Sequence, residues 1–254
     1  MTRILVFLFL LAVNYFSTAQ NSYQLLRKYA IEKEHFIGFD TQGNQFTVDN
    51  NELFKTNTNT EKTYTNYSFG KMHTVDISNP LKIVVCYKDF NNIVILDKQL
   101  NEREVLQIDY DIDFASNGSS DNLWLITSNF QHIQNFNFKT KKVISSSPPI
   151  TIKNIEKVKS TANTIYLQNK DGIFTYDYLG NLLHSLYISD VDDFKYFKNT
   201  LFIAIQNKIY KVGADKKIKH ILTHSNIINF EVINGDFYIF DGEELSQYSS
   251  VTNK

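Results

Sequence analysis

The sequence predicts an all-β protein of six similar four-stranded antiparallel units closed into a ring, and three observations predict it. The first is a period. Large side chains recur at Phe46, Lys82, Trp124, Tyr166, Phe202 and Tyr238, spaced 36, 42, 42, 36 and 36 residues apart, and only Lys82 breaks the aromatic series. The second is local pattern: apolar alternation with turn residues every ~8–12 positions, as in many short antiparallel strands. The third is a strand left over at the start of the chain and one missing at its end. A strand-built period near 40 residues reads as the blades of a β-propeller.

The elements follow in order. Arg3, the apolar run Ile4–Val13 and the small residues Ser17 and Ala19 form the three regions of a signal peptide, residues 1–19, cut after Ala19. Ten apolar residues fall short of the ~20 that span a bilayer, so no integral membrane span is expected after cleavage. Residues 20–254 then form a single propeller domain without a linker. Tyr23–Ile31 is strand-like but unassigned, and His35–Phe39 reads as the first inner strand. Asp111–Phe114, Val191–Phe194 and Ile227–Phe230 align as inner strands that end in Phe.

The fourth unit shows the full pattern. Its strands are 155–159, 164–168, 173–178 and 182–186, joined by the turns Asn169-Lys-Asp-Gly172 and Leu179-Gly-Asn181. Asp-Gly and Gly-Asn supply the positive φ that tight hairpins require. The fifth unit turns at Gln206-Asn207 and Gly213–Lys216. The sixth offers 227–232, 236–240 and 244–248 and then lacks a strand. The N-terminal strand completes it as the outer strand of the last blade, which hides edges that would invite aggregation. Seven blades would need units near 34 residues, and a β-sandwich would leave the six-fold register unexplained.

Composition narrows the function classes. Cleavage removes Arg3 and leaves 25 basic against 27 acidic side chains, a net of −2. Such a surface gives no sequence-independent grip on nucleic acid, which needs clustered Lys and Arg. The single cysteine, Cys86, lies in the apolar run Ile83–Tyr87 and behaves as a small buried hydrophobe. With 27 asparagines against nine glycines, Asn and Asp take over turn positions. The Asn, Ile, Lys and Tyr bias, with the Ala-Gln cleavage end, resembles exported proteins of Bacteroidetes-type bacteria.

Spacing, four-strand units and terminal closure together resemble the six-bladed β-propeller superfamily, in its NHL-like and YVTN-like bacterial group, over residues 22–250. The likeness is architectural. The WD40 Gly-His and Trp-Asp pairs, the quinoprotein tryptophan repeat and the sialidase Asp box are all missing, so no family's functional residues carry over.

Chemistry is sparse. His220 and His224 would lie roughly 13 Å apart on a strand at ~3.3 Å per residue, too far for one zinc; both read as surface or rim histidines. Asp109, Asp111 and Asp113 start like a calcium loop, but its sixth and twelfth positions hold Phe114 and Ser120. No metal and no cofactor are expected. Asp113, Asp193 and Asn229 occupy equivalent inner-strand positions, so they bond backbone of the next blade or bind a ligand at the channel mouth. Lean blades leave little loop material for a catalytic pocket. The expectation is an exported, non-enzymatic, monomeric scaffold. It would bind an envelope or secreted protein on one flat disc face, near the connections around 109–121 and 145–151. The alternative is a carbohydrate-active enzyme or small-ligand binder at the channel mouth.

Overall fold

The computed structural model describes residues 22–128 and 132–251; the signal peptide read over 1–19 lies outside them. The described residues form 24 strands in six four-stranded antiparallel sheets. The N-terminal strand is β1 (Ser22–Ala30). Blade one is β2 (His35–Phe39), β3 (Gln45–Asp49), β4 (Glu52–Thr56) and β5 (Glu61–Tyr64). Blade two is β6 (Thr74–Asp76), β7 (Ile83–Tyr87), β8 (Asn92–Leu96) and β9 (Glu102–Gln107). Blade three is β10 (Ile112–Asn117), β11 (Asn122–Thr127), β12 (Ile133–Asn137) and β13 (Lys142–Ser146). Blade four is β14 (Lys157–Ser160), β15 (Thr164–Asn169), β16 (Gly172–Asp177) and β17 (Leu182–Tyr187). Blade five is β18 (Asp193–Phe197), β19 (Thr200–Ile205), β20 (Lys208–Val212) and β21 (Ile218–Thr223). Blade six is β22 (Asn229–Ile233), β23 (Asp236–Phe240) and β24 (Glu244–Val251), completed by β1.

The chain is therefore a six-bladed β-propeller, closed as its sequence predicts. β1 pairs antiparallel with β24 from Ser22↔Val251 to Ala30↔Glu244. A Lys28–Glu244 ion pair of 2.5 Å lies on that seam. His35–Phe39 has the bounds read from the sequence, whereas residues 109–121 are not the long connection expected there. Residues 112–117 form β10 with short turns on either side.

The core is divided among the blade interfaces because both faces of each sheet are covered. Alternate residues of β7 show how. Ile83, Val85 and Tyr87 pack toward blade one with Phe46 and Leu53. Val84 and Cys86 pack toward blade three with Leu123 and Leu125. Equivalent clusters fill the other four interfaces, from Trp124 with Ile165 to Phe36 with Phe240. Turns use Asn as expected: Asn50, Asn51, Asn207 and Asn234 have positive φ. Asp40, Asp97 and Asp177 each accept from the backbone N–H groups two and four residues on, so Asp-x-x-x-Asn is this chain's recurrent turn. Such Asx caps satisfy turn amides at little cost.

Lys82, the residue out of series, has a defined task. Its ammonium donates to the carbonyls of Gly118, Ser120 and Asn122 at 3.1, 2.7 and 2.8 Å. Trp124 does the same one blade on, where its Nε1–H donates to Thr161 O at 3.0 Å. Both carry a donor on a long apolar stem to the inner hairpin turn of the following blade.

Candidate functional site

Six inner strands surround the axis: β2, β6, β10, β14, β18 and β22. Their N-terminal ends ring one mouth of the channel around a cavity of about 360 Å³. His35–Ile37, His73–Val75, Phe114, Glu156–Lys159, Asp193 and Asn229 are in its lining. Their C-terminal halves ring a second cavity of about 220 Å³, with Val75–Ser78, Val158–Thr161, Lys195, Tyr196 and Glu231. Ile37, Val75, Val158 and Lys159 line both, so the cavities meet at the waist of the channel.

Strand period two combined with the 36-residue repeat builds polar tiers here. Lys157, Asp193 and Asn229 form one tier, and Lys159, Lys195 and Glu231 form the next. Lys157 pairs with Asp193 at 3.2 Å, and Lys195 pairs with Glu231. The Glu231 carboxylate occupies the space beside Gly38, where an added Cβ would stand 2.7 Å from Oε1. A side chain at 38 would push that carboxylate off its place beside Lys195.

Electrostatics follow from the crowding. Burial raises the Asp193 carboxyl, but Lys195, Lys159 and Lys157 outweigh it and hold the group below the usual carboxylate range. Burial lowers the Lys195 ammonium, and Glu231 with Asp193 reverses that to a net rise. Lys159 is pulled down to about 8 by burial and then by the neighbouring Lys195 charge. At the first mouth His73 packs against Phe114, ring centroids 5.3 Å apart and tilted by 50°. Burial, then Lys88, hold its imidazole below the ordinary range.

Of the three residues singled out in the sequence, Asp193 and Asn229 line the first cavity and Asp113 does not. Asp113 is the extra residue of a β-bulge between the pairs Ile112↔Thr127 and Phe114↔Ile126. A bulge re-aims its side chain, and Asp113 accepts from Lys88 instead. The other two also stitch blades: Asn229 Nδ2 donates to Phe36 O at 2.8 Å, and Asp193 accepts from the Phe230 amide at 3.4 Å. Asn229 Oδ1 has no hydrogen-bond partner among the described residues. Lys157, Lys159, Lys195 and Glu231 went unread in the sequence, although the 36-residue register that linked Asp193 to Asn229 reaches Lys157, and a strand step of two carries it to the other three.

His220 lies on the exposed rim, but His224 is buried, with Nδ1 against Asn226 O at 2.8 Å. The expectation of a surface position fails for His224 because it ends the blade and packs on Tyr248. Among the described residues no three of His, Cys, Asp and Glu come together as metal ligands. No helix of these residues is long and apolar enough to cross a membrane.

The outer strands differ in how they guard their open edges. Arg27 and Lys28 stand on β1, Glu61 and Lys62 on β5, Glu102–Glu104 on β9, Lys142 on β13 and Lys219 on β21. β17, Leu-Leu-His-Ser-Leu-Tyr, carries no Lys, Arg, Asp or Glu. Beside it lie Val143 and Ile144 of β13 and Tyr178 and Leu179 of the β16–β17 turn. Val143, Ile144, Tyr178, Leu179, Leu182 and Leu183 are 42–59% exposed. The segments are joined where Ser145 Oγ donates to Tyr178 O at 2.7 Å. Gly180 (φ +83) lies so close to Ser147 that an added Cβ would stand 2.2 Å from its Cβ.

No protein-family model matches the chain, and no curated protein sequence matches it. Solved structures do share its fold. The Pan2 WD40 domain of Neurospora crassa superposes with a TM-score of 0.60 at 8% identity, over 87% of this chain and 76% of that one. A streptogramin B lyase gives 0.59 at 12% identity, over 92% and 100%. BamB of Moraxella catarrhalis gives 0.50 at 13%, over 83% and 68%. At these identities the likeness shows the propeller fold alone.

Proposed function

We propose that the chain is an exported, non-enzymatic propeller scaffold of the bacterial cell envelope that holds a protein partner on the rim of blades three and four. The observation that carries this reading is edge strand β17 in its apolar surround. It has no charged side chain of its own and, among the described residues, only one ammonium on its backbone, that of Lys216 of the next blade at Ser185 O. Natural sheets place charges on open edges to prevent strand addition, and a monomer rarely keeps an apolar patch without use. The location differs from the flat disc face expected from sequence, because Val143, Ile144, Leu182 and Leu183 of this patch lie on the outer strands β13 and β17. The partner is an envelope or secreted protein with an extended apolar segment, which β17 can pair through its backbone and Leu182 and Leu183 through their side chains.

A second reading places a small-ligand or carbohydrate site at the first channel mouth, and the cavity beside Asp193 and Asn229 favours it. Glycoside hydrolysis needs one carboxyl kept protonated near neutral pH. Asp193 of that mouth is shifted the other way. Enzymatic use of this fold, as in the lyase named above, therefore stays the second reading.

The test is purification of the tagged chain from its own envelope after mild crosslinking, beside Leu182→Lys and Ile144→Glu. One stoichiometric partner, lost in both variants while their melting temperatures hold, supports the scaffold. A chain recovered alone, or a partner indifferent to both changes, sinks it.

A further inference from the structure

We propose that the channel waist binds a small oxyanion, a carboxylate or a phosphate, between the Lys159 and Lys195 ammoniums. Three lysines face the axis from two adjacent inner strands. Lys157 is neutralised by Asp193, and Lys195 by Glu231. Lys159 makes no ion pair among the described residues. The remaining carboxylate of the second cavity, Asp76, is engaged by neutral donors: the Asn117 amide at 2.8 Å, the Ser78 amide at 2.8 Å and Ser160 Oγ at 3.4 Å. Lys159 thus stands beside a second cation inside a channel, and an enclosed cation favours a counter-charge far more than an exposed one does.

Access and size fit the same ligand. Lys159 lines both cavities, so an anion reaches it from either face of the disc. Their volumes, about 360 and 220 Å³, suit a ligand of a few to roughly a dozen heavy atoms, at the small end of ligand sites. Asp193 and Glu231 act on Lys159 only at a distance, and neutral sugars would leave its repulsion from Lys195 in place, whereas one oxyanion accepts from both ammoniums through charge-assisted bonds. The inference is independent of the rim partner, since no rim residue lines the waist.

The mature chain is titrated calorimetrically with inorganic phosphate and, separately, acetate, at constant ionic strength in chloride. The expected result is saturable one-to-one binding of at least one anion. Lys159→Gln should weaken it about tenfold or more, the worth of a charged hydrogen bond. Lys159→Arg should stay within about threefold, and the exposed Lys217→Gln should bind as wild type. Phosphate alone binding assigns a phosphate ester, and acetate alone assigns a carboxylate. Should Lys159→Gln not fold, lysine-labelled wild type decides: two side-chain resonances moving together on titration support the site. No saturable binding of either anion, no moving resonance, or an unaffected Lys159→Gln overturns the proposal.

Discussion

Replacing Lys82 by Met keeps the stem and removes the ammonium, which tests whether the residue that breaks the aromatic series ties blade two to blade three. Lys82 is buried and its three acceptors are backbone carbonyls of one turn. Asn122 O also accepts from the Gly118 amide, so two carbonyls, those of Gly118 and Ser120, are left without a protein donor. An unsatisfied buried carbonyl costs about 1–3 kcal/mol, but Gly118 is half-buried and Ser120 exposed, so water meets part of the loss, and removing the buried cation returns more. The net expectation is a loss of about 1–3 kcal/mol. At about 2–4 °C per kcal/mol for a chain of this size, the melting temperature should fall by roughly 2–12 °C. Urea unfolding followed by Trp124, the single tryptophan, reads the adjacent interface directly. A fall below about 2 °C, or a stabilised variant, would refute the reasoning and make Lys82 a tolerated exception.

Three further outcomes follow from the channel and core. Glu231→Gln strands the Lys195 ammonium and should cost about 2–4 kcal/mol. That lies below the ~3–5 of a fully buried pair, because the Glu231 side chain keeps 21% exposure; the double change Lys195→Met with Glu231→Leu should recover most of it in chemical denaturation. Stability should rise with pH between about 8 and 9, because the Lys159 ammonium loses its proton there in the fold against an ordinary 10.5 unfolded, so the unfolded chain binds more protons in that window. Above about 9 the Cys86 thiol, ionised when unfolded but held up to about 12 in the fold, offsets that slope. Stability should fall again above about 10, where unfolded tyrosines ionise while burial holds Tyr87 and Tyr166 up to about 12; because burial also lowers Lys82, a rising limb undiminished in Lys159→Met is the result that contradicts the assignment. Finally, burial pushes the Cys86 thiol up to about 12, so thiol reagents should label it only on unfolding, and fast labelling of the native chain would show that the interface of blades two and three opens.

Much of the architecture was legible because each blade repeats the same demands. The turns of residues 164–187 name their own hairpins, and the leftover strand at Tyr23–Ile31 has only one place to go once the sixth unit runs out. What the sequence hid is what depends on one residue or on three dimensions. The bulge at Asp113 adds a single residue without changing the pattern around it, so an aligned aspartate turned away from the axis. The tiers of Lys157, Lys159, Lys195 and Glu231 emerge only where the 36-residue register and the two-residue strand period are combined. The apolar rim joins β13 to the β16–β17 turn across about 35 residues of sequence, a distance that local pattern does not span.

The partner-binding claim is tested most directly by site-specific photocrosslinking in the native envelope, with the photoreactive residue at Leu182 on the rim of blade four or, as the matched control, at Glu104 on the charged rim of blade two. A single discrete adduct from position 182 and none from position 104 is the predicted result. No adduct from either, or the same adducts from both, would contradict the assignment of β17 as the docking edge.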